Sequence, residues 1–400
     1  MNSFDQALLR QLDQIEAAGL RRHLRRVDSA QSARIVVDGK PLLNFSSNDY
    51  LGLANHPSLK EAAQKAVVEF GAGSGASRLI CGSLRIHHEL EETLAAYKGT
   101  EAALTFSTGY ATALGTIAAL LGKDDIIIVD KLVHACVVDA TRLAGAKLRA
   151  FRHNDLNDLE AKLKWAASSR ILHPESRILI VTESVFSMDG DLAPLREIVE
   201  LKERHGAWLM LDEAHATGLY GENRRGVAEA FGLADRVEIQ MGTLGKALGS
   251  GGGYIAGSRA LIDVLLNRAR SFIFSTAPVP AQAGAAIAAV RLVQSAEGES
   301  LRQRLWQRVD QTKNAVINAG WPLSPVQSAI LPLRIGAEQR ALELAASLRE
   351  AGVFIPAIRY PTVARGAARL RLTITAGHSA EDIAELQRTL QNQQLVNRDS

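Results

Sequence analysis

The hydrophobic positions of this 400-residue chain change period along its length, and those changes mark its elements. Leu8, Leu9, Leu12, Ile15 and Leu20 recur at helical spacing, which predicts a helix within residues 2–28 that weakens near Gly19. Short apolar runs at 35–37 and 42–45 flank Asp38-Gly39 and predict a hairpin. Amphipathic helices are expected over 57–70 and 87–97. Continuous apolar runs then alternate with amphipathic stretches. Strands are predicted at 125–130, 147–151, 177–182, 207–212, 237–241 and 253–256, and helices at 131–144, 155–167 and 194–205. Runs that are apolar on both faces belong to a buried parallel sheet, and strands separated by helices build βαβ units. The expected class is α/β, with a mostly parallel sheet covered by helices on both faces.

Beyond about residue 280 the pattern becomes helices at 281–295, 301–319 and 339–351, with strands at 329–335, 353–358 and 370–374. This reads as a smaller C-terminal α+β domain. Three units are expected: an N-terminal helix and hairpin segment (1–45), a large domain (46–280) and the small domain (281–400). Arg369 and Arg371 alternate on one strand and so share a face. On a buried face, paired arginines call for anions. No internal repeat or low-complexity segment is present, and disorder is expected at most in the last ten residues.

Composition narrows the class. A net charge of +3 gives no argument for nucleic acid or a membrane surface as partner. Two cysteines, Cys81 and Cys136, are too few for a disulfide framework or a thiolate zinc site. The acidic N-terminus lacks a secretory h-region, and the longest apolar runs are too short to span a bilayer. A cytoplasmic enzyme is expected.

Candidate chemistry collects where the predicted strands end. His134 follows the first, Glu183 and Ser187 the third, Asp212 and His215 the fourth, Thr243 and Lys246 the fifth. Open α/β sheets bind ligands beyond the carboxyl ends of their strands. Taken singly, each residue has a plainer explanation: Asp212 as a helix cap, His215 as a satisfied polar residue, Lys246 as a solvated side chain on a glycine-rich loop. Arg21, Arg22, His23, Arg25 and Arg26 form a basic cluster that is either solvated surface or a site for an anionic substrate tail. Gly109 and Tyr110 open a predicted helix whose N-terminus either is simply capped or binds phosphate.

Several chemistries fail on spacing. The ten histidines hold no metal-ligand motif, and there is no G-x-S-x-G. The glycine-lysine pair lacks the preceding glycine and following hydroxyl of a phosphate loop, having Gln240 and Ala247 there. Pyridoxal 5'-phosphate fits: it needs a lysine that becomes a nucleophile once desolvated, an acid for the pyridine nitrogen and a phosphate cradle. Lys246 and Asp212 can supply the first two, His134 can cover the ring, Gly109, Tyr110 and Thr243 can meet the phosphate, and Arg371 can hold a carboxylate.

The segments NFSSNDYLGL (44–53), GSGASR (73–78), STGY (107–110), TESVFSMDGDLAPL (182–195), LDEAHATG (211–218), TLGKALGSGGG (243–253), FSTAPVP (274–280) and PTVARGAARLRLT (361–373) span nearly the whole chain. In this order they identify the chain as similar to the α-oxoamine synthases, which belong to the fold-type I pyridoxal-phosphate-dependent transferases. The resemblance implies that Lys246 forms the imine with the cofactor and shuttles the α-proton, that Asp212 pairs with the ring nitrogen, that His215 contacts the ring oxygen and that His134 stacks on the ring. Ser187 and Thr243 would bind the cofactor's polar groups, and the Gly109-Tyr110 backbone its phosphate. The family works as a homodimer with shared active sites, so Ser275 or Thr276 would reach the partner's phosphate. Asn48, Thr362 and Arg371 would hold substrate, with His134 beside it, and Arg21 the acyl part. The implied reaction is decarboxylative condensation of L-alanine with a pimeloyl thioester, carried on CoA or an acyl carrier protein, in biotin synthesis. Rival readings are condensation of glycine with acetyl-CoA, and a non-catalytic scaffold subunit.

Overall fold

The computed structural model describes residues 2–169 and 175–398. Helix α1 covers Ser3–Ala17 and stops well short of residue 28. None of its residues is buried, so no packing carries it through Gly19, where φ is +66°. Strands β1 (Arg34–Val37) and β2 (Lys40–Asn44) form the expected hairpin. There follow α2 (Pro57–Phe70), α3 (Arg85–Lys98), β3 (Ala102–Phe106), α4 (Gly109–Leu120), β4 (Ile126–Asp130), α5 (Ala135–Ala144), β5 (Lys147–Phe151), α6 (Leu156–Ser169), β6 (Ile178–Glu183), α7 (Leu195–Arg204), β7 (Trp208–Asp212), β8 (Ile239–Thr243) and β9 (Gly253–Gly257).

Seven strands make one sheet in the order β3-β9-β8-β7-β6-β4-β5. Strand β9 runs antiparallel to both its neighbours, and the pairs from β8 to β5 are parallel. The sheet is therefore mostly parallel, as the apolar runs predict. Every residue of β4 and β6 is buried. Helices α4 and α5 pack Ile117 and Val137 against one face through Val129 and Val181. Helices α6 and α7 pack Leu163 and Ile198 against the other through Ile128 and Ile180. Strand β3 went unread in the sequence because its small residues, Ala102 and Ala103, carry little strand signal.

The later strands are β10 (Ile330–Gly336), β11 (Val353–Phe354), β12 (Ala357–Ile358) and β13 (Ala368–Thr373). The single strand predicted at 353–358 is two. Pro356, which has no N–H to give a ladder, separates them. β11 adds to β2, while β12 joins β13 in a second sheet with β10. The N-terminal hairpin thus shares a sheet with a strand of the C-terminal region, and Arg34 reinforces this by bonding Asp382 at 2.7 Å. The final helix, Ala380–Arg398, is ordered where disorder was expected at most in 391–400; residues 399 and 400 lie outside the described range. Among the described residues, no helix is long and apolar enough to cross a membrane.

Candidate active site

The carboxyl ends of β4, β6, β7 and β8 place Asp130, Glu183, Asp212 and Thr243 along one edge of the sheet. Register sets Glu183 directly opposite Asp212. Both carboxyl groups are buried. Burial, with Asp212 next, pushes the Glu183 carboxyl up to about 8; burial also raises Asp212, against the pull of Lys246. The Asp212 carboxylate accepts only the Ala214 N–H, at 2.8 Å, among the hydrogen bonds of the described residues. His134 caps the N-terminus of α5, and its own backbone N–H donates to Glu183 Oε1 at 2.6 Å. Its imidazole is held neutral by burial.

Lys246 lies on the loop between β8 and β9. That loop packs closely: a Cβ on Gly249, whose φ is +59°, would stand 2.5 Å from the backbone of Leu53 and Ala54. Lys246 Nζ is 2.9 Å from His215 Nε2, and His215 Nδ1 is 2.5 Å from the Tyr50 hydroxyl. Burial raises the Tyr50 hydroxyl to about 12, so it stays protonated. Burial, helped by Lys246 and Arg371, drives His215 well below its usual range, so it stays neutral. Tyr50 lies at Nδ1 and Lys246 at Nε2, so the imidazole bridges hydroxyl and amine, and a proton on Nε2 matches a neutral amine at Nζ. Burial lowers the Lys246 pKa against the attraction of Asp212 and Glu183, which favours that neutral amine. The lysine is thus poised as a nucleophile.

The chain of contacts continues to the small domain. Asn48 Oδ1 accepts from Arg371 Nη1 at 3.1 Å, and Arg371 Nε donates to the Ser187 carbonyl at 2.6 Å. Arg369, on the same buried face, donates to Asp189 at 2.6 Å. The two arginines find their anionic and carbonyl partners in one loop, 187–189, as their burial requires.

The far side of the site fits a phosphate. Thr108 caps α4 by accepting the Ala111 N–H, while the first-turn N–H groups of Gly109 and Tyr110 have no acceptor within the helix. A Cβ on Gly109 would meet Thr243 Cγ2 at 2.8 Å, and one on Gly253 would meet Thr112 Oγ1 at 2.4 Å, so only glycine lets β8, β9 and α4 approach this closely. Thr243 Oγ1 is buried there without a hydrogen-bond partner. An orphaned hydroxyl beside a helix N-terminus is the donor set that a phosphate ester satisfies.

The remaining expected residues stand elsewhere. The Tyr110 side chain turns outward and donates to Asp139 at 2.6 Å. Thr276 pairs with Ser77 on a surface segment that also carries Ser275 and the exposed Phe274. Arg21 meets Glu16 at 3.4 Å, and its carbonyl accepts from Arg359. Thr362 is exposed and bonds the Arg359 carbonyl through its backbone. Tyr50 is the site residue that sequence reasoning missed; it sits inside the quoted NDYLGL segment, but nothing local marks its hydroxyl as a partner of His215.

A second cluster braces the edge. His153 lies between Asp130, at 3.0 Å from Nδ1, and Asp191, at 2.8 Å from Nε2. Burial alone would lower its pKa, but the two carboxylates outweigh burial and raise it to about 10. A folded pKa above the unfolded value near 6.5 stabilises fully below pH 6.5, and that contribution is lost as pH rises toward 10. His153→Gln is expected to cost about 1–3 kcal/mol at pH 6. The gap between variant and wild type in urea melts should shrink between pH 6.5 and 10; a gap that stays constant refutes the cationic clamp.

Comparison with known proteins shows the family of the chain. The model of the aminotransferase class I and II family matches residues 40–390. An 8-amino-7-oxononanoate synthase from Geotalea daltonii is 48% identical over 93% of this chain and 94% of its own. Among solved structures, a serine palmitoyltransferase from S. paucimobilis with a bound PLP–myriocin aldimine superposes with a TM-score of 0.89 at 29% identity, covering 98% of both chains. An 8-amino-7-oxononanoate synthase from Francisella tularensis gives a TM-score of 0.74 at 25% identity, over 89% of this chain and 99% of that one.

Proposed function

The chain belongs to the aminotransferase class I and II family and, within it, to the 8-amino-7-oxononanoate synthases; from that premise we propose that it condenses L-alanine with a pimeloyl thioester, releasing CO2 and the free thiol and giving 8-amino-7-oxononanoate for biotin synthesis. The observation that carries the reading is the Lys246 amine, 2.9 Å from His215, at the edge where Asp212 lies buried. Pyridoxal 5'-phosphate, when bound, supplies an aldehyde for the amino group and a ring that delocalises charge from the α carbon.

The chain's own residues hold that group and move protons around it. Lys246 Nζ would hold the cofactor through its aldehyde carbon and, as a free amine, would take and return the α-proton of alanine. Asp212 would keep the ring nitrogen protonated, His134 would cover the ring face, and His215 would meet the ring oxygen. The N–H groups of Gly109 and Tyr110 and the orphaned Thr243 hydroxyl take the phosphate. Ser187 adds a polar contact. Arg371 and Asn48 would hold the substrate carboxylate, while Thr362 and Arg21, which both bond Arg359 away from that pair, would serve the substrate's acyl end. In a homodimer, Ser275 and Thr276 serve the phosphate of the partner subunit. The free thiols Cys81 and Cys136 fit the cytoplasm.

A crossed assay tests the substrate assignment. Alanine, glycine and serine are each paired with pimeloyl-, acetyl- and palmitoyl-CoA, and products are identified by mass. Alanine with pimeloyl-CoA should give the highest kcat/KM. Faster turnover of glycine with acetyl-CoA, or of serine with palmitoyl-CoA, overturns the assignment. Repeating the favoured pair with pimeloyl-acyl carrier protein identifies the carrier.

A further inference from the structure

Glu183 is the buried acid of this site that the reaction above does not use. Its carboxyl group holds two separate loops. Oε1 accepts the His134 N–H at 2.6 Å, from the loop after β4, and Oε2 accepts the Ser187 N–H at 3.2 Å, from the loop after β6. Both oxygens face N–H donors, and among the hydrogen bonds of the described residues none accepts a carboxylic proton, so these two bonds favour the anion against the burial that pushes the carboxyl up to about 8, and the anion is the main form above that pH.

What hangs on the two loops gives the carboxylate its reach. One presents the His134 ring. The other presents the Ser187 carbonyl that fixes Arg371. Behind them, Glu183 faces Asp212 across the strand pair. The ionisable groups that act on this pocket are Asp212 from β7, Lys246 from the β8–β9 loop, His134 and Cys136 from α5, His215 from the turn after β7, and Arg371 from β13. Lys246 is the member of the set through which a second negative charge acts on the chemistry.

We propose that Glu183 is a positioning residue: through its two oxygens it fastens the His134 and Ser187 loops together, and as an anion beside Asp212 it favours the protonated form of the nitrogen at Lys246. The proposal rests on the pyridoxal-phosphate reading of the site. Two effects separate it from a plain structural role. Removing the charge shifts a titration at Lys246, and moving the oxygens weakens the grip on the cofactor.

The test uses the holoenzyme and follows the pH midpoint of the Lys246–cofactor absorbance band, together with the Kd of the apoenzyme for pyridoxal 5'-phosphate. A wild-type protein with no such band refutes the cofactor reading itself. Given that band, Glu183→Gln should lower the midpoint by about one unit, because a neighbouring charge is lost. It should also weaken cofactor binding about tenfold, because the amide nitrogen now confronts an N–H donor. A wild-type midpoint in Glu183→Gln overturns the proposal. Glu183→Asp keeps the charge but withdraws it by one methylene. It should hold the midpoint within about 0.3 unit while raising Kd at least threefold. If Glu183→Gln does not fold, this variant decides, and an unchanged Kd overturns the proposal.

Discussion

Lys246→Ala is expected to lower kcat for condensation by about 10⁴-fold or more and to abolish the visible absorbance of the purified protein. The size follows from two losses at one atom. The amine that bonds the cofactor is gone, and so is the base that moves the α-proton; each is worth about 10²–10⁴ in rate. Lys246→Arg separates charge from nucleophilicity. A guanidinium keeps the cation near Asp212 but does not lose its proton, so it neither attacks an aldehyde nor serves as a base. Single-turnover measurements should find Lys246→Arg as inactive as Lys246→Ala. Retention of more than about a hundredth of wild-type kcat in the arginine variant would remove Lys246 from both roles.

Much of this site is written locally in the chain. The run at 125–130 is apolar enough to be a buried strand wherever it occurs, and the same holds for 177–182 and 207–212. Once those strands are parallel, the residues that follow them must share an edge, so Asp212, His134, Thr243 and Lys246 could be grouped before any coordinates. What the pattern could not supply was contact across long separations. Tyr50 and His215 are 165 positions apart and meet because the glycine-rich loop at 245–253 lies against the backbone of Leu53 and Ala54. No periodicity encodes that approach. The break at Pro356 was legible as a missing donor, yet its consequence, two short strands in different sheets, depends on which edges are free nearby. The helix Ala380–Arg398 carried a sign that went unread: Ser379 and Asp382 exchange backbone and side-chain bonds at 2.8 and 3.1 Å, a reciprocal cap visible as a serine with an acid three residues on. Arg21 and Thr362 were placed by resemblance, and among the described residues both reach only Arg359 and their own neighbourhood.

Lys98→Met is expected to cost about 3–5 kcal/mol of stability, the largest effect predicted away from the cofactor. Lys98 ends α3 with its side chain 1% exposed, and its ammonium lies 2.6 Å from Glu213, whose side chain is 0% exposed. The same ammonium donates to the Arg225 carbonyl at 2.6 Å, and Glu213 Oε1 accepts the Ala228 N–H at 2.9 Å. Burial would lower the lysine's pKa, but Glu213, joined by Tyr254 and Glu229, outweighs burial and raises it, so the lysine stays a cation. Methionine matches the length of the stem and removes the charge. Glu213 then keeps one hydrogen bond and no counter-ion in an apolar surround, and the Arg225 carbonyl loses its donor. Glu213 stands between Asp212 and His215 in sequence, and its own carbonyl accepts the Ala216 and Thr217 N–H groups that close the turn carrying His215. Relaxation of that carboxylate toward water therefore drags on the catalytic turn. The double variant Lys98→Met/Glu213→Leu distinguishes a buried charge from lost packing. With both charges gone, the desolvation penalty disappears, and the double variant should be more stable than either single one in urea unfolding of the apoenzyme. Additive losses would mean instead that Lys98 acts through its methylene packing, and that the ion pair contributes nothing of its own to holding the turn.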